Sequence, residues 1–212
     1  MIPRRRRLPL ALFIAAAPLA CADETDSRAG SSTAGAETAA GVADTAPSDE
    51  AVARARAAAN ALGKELQSQL FAALETGGPS RAVAYCADSA QALTARHARE
   101  GVYLRRVSLR VRNPANRPDA VEERQLRYLD SLHRAGSLPG EVLRSRRLSG
   151  GERVVEYARP ILVQQRCLAC HGDGTQLAPG VREMLTTRYP ADQATGYRAG
   201  DLRGMISVRV HP

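Results

Sequence analysis

Two cysteines and a histidine within five residues constrain this chain more than any other feature: Cys167-Leu168-Ala169-Cys170-His171. C-x-x-C-H is the attachment signature of c-type haem. Two thiols at this spacing can add across the two vinyl groups of one porphyrin, and the adjacent imidazole then lies under the iron. Covalent attachment lets a small domain hold haem without a large enclosing pocket. Other readings of C-x-x-C fit less well. A four-ligand zinc site needs a second Cys/His pair at short spacing, and none follows His171. A thioredoxin-type dithiol opens a helix after a strand in a βαβ unit and is not ordinarily followed by histidine. The motif predicts one covalent haem c, with thioethers at Cys167 and Cys170 and His171 as proximal axial ligand.

The N-terminus predicts an exported chain. Arg4 to Arg7 precede an apolar run from Leu8 to Ala20, the n-region and h-region of a secretory signal. The run is too short, and too interrupted by Pro9 and Pro18, to span a bilayer. Haem c is attached on the export side of bacterial membranes, so the two features agree. Cleavage reads two ways. Cys21 after Pro18-Leu19-Ala20 resembles a lipoprotein processing site, which would make Cys21 the lipidated residue. Ala20-Cys21-Ala22 also fits the A-x-A pattern of ordinary signal peptidase. The domains expected are a signal peptide over 1–20, a disordered tether over 21–49 and a haem-binding domain over 50–212. The tether is Ala, Gly, Ser, Thr, Asp and Glu with almost no large apolar side chain, so it cannot bury enough surface to offset chain entropy. The expected location is the periplasmic side of a bacterial membrane, lipid-anchored or soluble after cleavage.

The formal charge of +8 overstates the basicity. Four of the 30 basic residues lie in the leader and no acid does, leaving 26 against 22, a net +4. Haem propionates would lower it further, and nucleic acid is not an expected partner. The runs Arg105-Arg106 and Arg144 to Arg147 read as solvated faces or propionate partners.

Periodicity places the elements. Ala55, Ala59, Leu62, Leu66, Leu70 and Ala73 recur at helical spacing within Ala51 to Glu75, and Thr76-Gly77-Gly78-Pro79 ends that helix. Ser80 starts a second helix to about Glu100, with Val83, Cys86, Ala87, Ala90, Leu93 and His97 on its inward stripe. Val102 to Val111 reads as a strand with Tyr103, Val107, Leu109 and Val111 on one face. A Pro-rich loop over 112–118 follows. Asp119 caps a third helix through His133, with Leu126, Leu129 and Leu132 inside. Arg153 to Gln164 is a strand leading into the motif. Pro179 opens a short helix to Thr187, and Leu202 to Val210 is a last strand. Helices first and strands later predict an α+β domain with an antiparallel sheet.

Four cysteines need four explanations. Cys86 is the one left over, on the apolar stripe of its helix. It is either an inert buried thiol or the distal axial ligand. His97 lies on the same face about 16 Å further along by helical rise, so only one of the two can approach a given iron. Met184, Met205, His133 and His211 are further candidates, since Met/His ligation is usual in electron-transfer cytochromes c.

Several longer motifs carry a resemblance. They are Gly77-Gly78-Pro79 before the helix that holds Cys86, then Arg106-Val107-Ser108 and Arg112-Asn113-Pro114-Ala115-Asn116. Cys167 to Gly172, Tyr189-Pro190-Ala191-Asp192, Ala194-Thr195-Gly196-Tyr197 and Gly200-Asp201-Leu202-Arg203-Gly204 follow. In these the chain resembles the small exported c-type haem proteins with a PAS-like fold, long classed as a domain of unknown function and typified by a cyanobacterial member. The resemblance covers about residues 50 to 212. It implies a PAS-like antiparallel sheet flanked by helices, with Cys86 and His171 as the two axial ligands. Arg105, Arg106, Arg112 and Arg203 are then candidate partners of the propionates or of the thiolate.

Thiolate ligation favours ferric iron and lowers the reduction potential. If the thiolate leaves on reduction, a coordination site opens for a gas such as NO or CO, which suits a redox or diatomic-gas sensor read by a periplasmic partner. The alternative is a membrane-tethered periplasmic electron-transfer cytochrome. An enzyme such as a peroxidase needs an open iron site and a distal acid/base pair; the sequence shows no such pair, and a non-enzymatic role is expected.

Overall fold

A ladder of small side chains opens the fold. In the computed structural model, which describes residues 47–211 apart from Glu100, helix α1 spans Asp49–Asp88. The Ser48 hydroxyl caps it by accepting from the Ala51 N–H at 3.3 Å. The expected signal peptide, most of the expected tether and Cys21 lie outside the described residues. The chain divides into two units, Met1–Val42 and Ala43–Pro212, and the described residues fall in the second.

Ala51, Ala55, Ala59 and Leu62 are buried at helical spacing. Small side chains there let the helix lie close on the sheet, where it meets Leu104, Val155, Tyr157, Val208 and Val210. The predicted stop at Gly77-Gly78-Pro79 is a sharp break rather than an end. Gly78 takes φ 69° and ψ −170°, a combination open essentially to glycine alone, and Pro79 restarts the helix. Helix α2, Ala90–His97, then returns beside the first arm, so that His97 Nε2 meets Glu65 Oε2 at 2.6 Å.

The remaining elements are β1 Val102–Val107, α3 Ala120–Arg134, β2 Val142–Arg147, β3 Arg153–Leu162, α4 Leu168–His171, α5 Val181–Arg188 and β4 Leu202–Val210. The four strands form one antiparallel sheet in the order β1-β4-β3-β2. This is the α+β class expected.

Alternation along β4 assigns the two sheet faces. Ile206, Val208 and Val210 join the α1 core. Met205 points the other way and packs with Val107, Ala158, Leu126 and Leu129 of the α3 core. Helix α3 is held by a capping box between Asp119 and Glu122. The fully buried Glu122 also accepts from Arg105 Nη1 at 2.7 Å.

Four details depart from the sequence reading. The helix expected from Ser80 to about Glu100 breaks at Ser89, between the end of α1 and the start of α2, and closes at His97. The first strand ends at Val107, not Val111. The Ser108 hydroxyl donates to the Arg203 carbonyl at 2.7 Å and so takes an acceptor that a further ladder rung would use. Tyr103 is exposed while Val102 and Leu104 are buried towards α1. The run Arg144 to Arg147 belongs to a strand that the sequence reading omitted. It is a sheet edge, where charge guards against pairing with other chains, and Arg146 pairs with Glu156 at 2.7 Å.

Candidate functional site

Strand β3 delivers the chain to the C-x-x-C-H segment. A register shift between Ile161 and Leu162 marks the last rung of its pairing with β4, Leu162 opposite Leu202. A 3₁₀ turn over Gln165–Cys167 leads straight into α4, the single turn that contains Cys170 and His171. So short a helix cannot hold itself, and the rest of the chain fixes it.

The strap over residues 192–201 does much of this. Tyr197 N–H donates to the His171 carbonyl at 2.9 Å, and Gly196 N–H donates to the Gly172 carbonyl at 2.7 Å. Ala178 N–H, from the chain leading to α5, donates to the Ala169 carbonyl at 3.0 Å. At the far end of the strap, Val163 N–H donates to the Asp201 carbonyl and Gly200 N–H returns to Val163, tying the strap to the end of β3.

The imidazole is fixed by the same strap. His171 Nδ1 lies 2.7 Å from the Ala194 carbonyl. A carbonyl only accepts, so Nδ1 carries the proton and Nε2 keeps its lone pair. Burial, then the charges of Arg112 and Arg203, push the imidazolium well below the ordinary histidine range and keep the ring neutral. A neutral imidazole tied back through Nδ1 is the form that ligates a metal through Nε2. Tyr197 stands edge-on to the ring at 6.2 Å between centroids.

Arg112 anchors this layer. Its Nη2 donates to the Cys170 carbonyl at 2.6 Å and to the Ala194 carbonyl at 3.2 Å. It pairs with Asp192 at 3.0 Å, with both side chains about one-tenth exposed. Asp192 in turn accepts from Ala194 N–H at 2.8 Å. The sequence reading missed Asp192, Ala194 and Tyr197 as individual residues, although the Tyr189 to Asp192 and Ala194 to Tyr197 segments contain all three.

The second arm of α1 packs beside α4, with Val83 and Ala87 in one cluster with Cys170. Helix α5 runs parallel to it: Gly180 abuts Ser80, Arg188 pairs with Asp88, and Val83 packs with Val181, Leu185 and Tyr189. Ala87, Cys170 and Met184 flank that cluster. Cys86 lies on this arm, within electrostatic reach of Cys170, Arg106, Arg112 and Arg203. Burial raises the Cys86 thiol above its ordinary value, opposed by the three arginines. Burial likewise pushes Cys170 up to about 11. Cys86, Cys167 and Cys170 are free thiols.

The structure thus brings Cys86, Cys170, His171, Arg106, Arg112 and Arg203 together, with Cys167 three residues before Cys170. Arg105 stands apart on the α3 face, bound to Glu122 and to the Ala115 and Arg117 carbonyls. Among the alternative ligands, His97 is bound to Glu65. Met205 is buried in the α3 core, and His211 faces Glu152 at 3.6 Å. Met184 alone of these packs beside the motif.

The domain is α+β, with a neutral imidazole tied back through Nδ1 and two cysteines, Cys86 and Cys170, within electrostatic reach of each other. The chain belongs to the Tll0287-like family, whose model matches residues 37–211. It is also similar to a solved structure, "Crystal structure of the cyanobacterial heme-protein Tll0287", at 27% identity and a TM-score of 0.54, over 78% of this chain and 97% of that one. No curated protein matches the chain.

Proposed function

We propose that this chain is an exported mono-haem c-type protein whose iron is held between His171 and Cys86, and that it works as a redox or diatomic-gas sensor. The observation that carries the reading is the His171 Nδ1 to Ala194 contact at 2.7 Å, which commits one ring nitrogen and leaves the other for a metal. The residues present suit the group: a neutral imidazole, two thiols in the attachment spacing, and a third thiol on the second arm of α1. The similarity to a heme-protein over 97% of its chain supports the same reading.

Each thioether forms when a cysteine S–H adds across a vinyl double bond, the sulfur to one carbon and the hydrogen to the other. When bound, the group would supply a one-electron couple and a metal that His171 and Cys86 would hold. The protein's part is to orient His171 through the strap and to carry Cys86 on the second arm of α1. A Cys86 thiolate would favour ferric iron, and if it left on reduction a site would open for a gas. An electron carrier keeps its ligands in both states. Export, cleavage near Cys21 and a lipid anchor belong to the same proposal, as does a periplasmic partner that reads the signal.

Optical spectra of ferric and ferrous protein, with and without CO, for wild type and Cys86→Ala, test this. The reading expects low-spin thiolate bands that the substitution abolishes, and CO uptake by ferrous wild type. Unchanged bands in Cys86→Ala would remove Cys86 as ligand. A ferrous form that refuses CO would remove the gas-sensing role.

A further inference from the structure

Three of the four arginines expected near the cofactor are already committed. Arg105 serves Glu122 on the other sheet face. Arg112 serves Asp192 and two carbonyls. Arg203 donates to the Ser108 hydroxyl at 2.6 Å and to the Arg110 carbonyl at 3.1 Å, and its guanidinium faces the Tyr197 ring.

Arg106 differs. It lies opposite Ile206 in the β1–β4 register, so its side chain leaves the sheet on the α1 side. Arg159, in register on the far side of Ile206, is engaged with Asn60. Arg106 Nε is buried without an acceptor among the described residues. Buried N–H groups left unpaired are rare, and each one asks for an explanation. The ionisable groups acting on Arg106 are Cys86, Tyr189 and Tyr85. Of these, Cys86 is the one that the haem reading makes a metal ligand, and a ligating cysteine is a thiolate.

We infer that Arg106 is a positioning residue for Cys86, its buried guanidinium meeting the sulfur when that sulfur is an anionic iron ligand. This rests on the haem reading above. A cation beside a ligating sulfur draws charge from the donor and favours the more negative, ferrous state. Arg106 therefore moderates the fall in potential that the thiolate imposes. The rival occupant of Arg106 is a haem propionate, for which a cavity of about 250 Å³ lined by Arg106, Gln91, Thr94 and Asn116 offers room.

The experiment is a double-mutant cycle read by redox titration of haem-loaded protein: wild type, Arg106→Gln, Cys86→Ala and the pair. Arg106→Gln is expected to shift the reduction equilibrium about tenfold towards the ferric form, which is 59 mV for one electron. Arg106→Lys, which keeps the charge, is expected to stay within about twofold of wild type. With Cys86→Ala the effect of Arg106→Gln is expected to vanish. A shift of equal size without Cys86 would assign Arg106 to a propionate and overturn the inference, as would no shift at all. If Cys86→Ala does not retain haem, the ferric thiolate bands decide: they are expected to move in Arg106→Gln and be restored in Arg106→Lys, and bands that stay put overturn the inference. A wild type that never acquires haem would instead overturn the underlying reading.

Discussion

His171 and Ala194 meet at 2.7 Å, ring nitrogen to backbone carbonyl, across 23 residues of sequence. The carbonyl does not act alone. Arg112 donates to it, and Asp192 accepts from both Arg112 and the Ala194 N–H. A histidine held by such a chain has one orientation.

The first prediction concerns that chain. Arg112→Gln leaves the Asp192 carboxylate with little solvent and no cation, and Asp192→Asn does the converse to Arg112. Breaking a pair this buried costs about 3 kcal/mol. Each single variant is expected to lower the urea midpoint accordingly, and the double variant to lose clearly less than the two losses summed. Strict additivity would show that the pair does not act as a unit.

A second prediction isolates the backbone at the break in α1. No atom lies within 4 Å of a Cβ added at Gly78, so Gly78→Ala meets no collision. Its cost is the dihedral alone, about 1–3 kcal/mol. Chemical denaturation measures it, and a neutral outcome would mean that the second arm carrying Cys86 can be set without this turn.

The third concerns acid. Burial works against the Asp119 charge, but the Glu122 N–H, the Arg209 guanidinium and the Val121 N–H outweigh it and hold the carboxyl below its ordinary 3.8. A carboxyl depressed by folding contributes stability that is complete above its unfolded value and lost as pH falls through the folded one. Asn caps helices as well as Asp, so Asp119→Asn removes mainly the charge. The advantage of wild type over Asp119→Asn is expected to stay level down to about pH 5 and to shrink as the pH falls further. A difference that grows on acidification would contradict the assignment.

Much of the fold was legible because its signals are local. The alanine ladder of α1, the Asp119 cap of α3 and the alternation of β4 each sit within one element; α3 and β4 formed where the pattern placed them, and α1 ran on past its expected stop to Asp88. The attachment motif was legible for the same reason. The network behind it was not. Arg112 reaches Cys170 across 58 residues and Ala194 across 82, and two of its three acceptors are backbone carbonyls, which leave no mark in side-chain pattern. Strand β2 was missed because it is an edge: Arg144, Arg146 and Arg147 break the apolar alternation that betrays a strand, and pairing with β3 alone defines it. Arg105 and Arg106 are adjacent in sequence, yet strand alternation sends one to Glu122 and the other to the α1 side of the sheet. Composition gave them a single role, and the pleat separates them.

Covalent attachment is the central claim, and extraction tests it most directly. Protein matured with haem is treated with acidified organic solvent, and the absorbance left on the chain is compared between wild type and the Cys167→Ser, Cys170→Ser double variant. The account predicts that haem stays with the wild-type chain and leaves the variant. Haem extracted in full from the wild type, or retained equally by the variant, would contradict it.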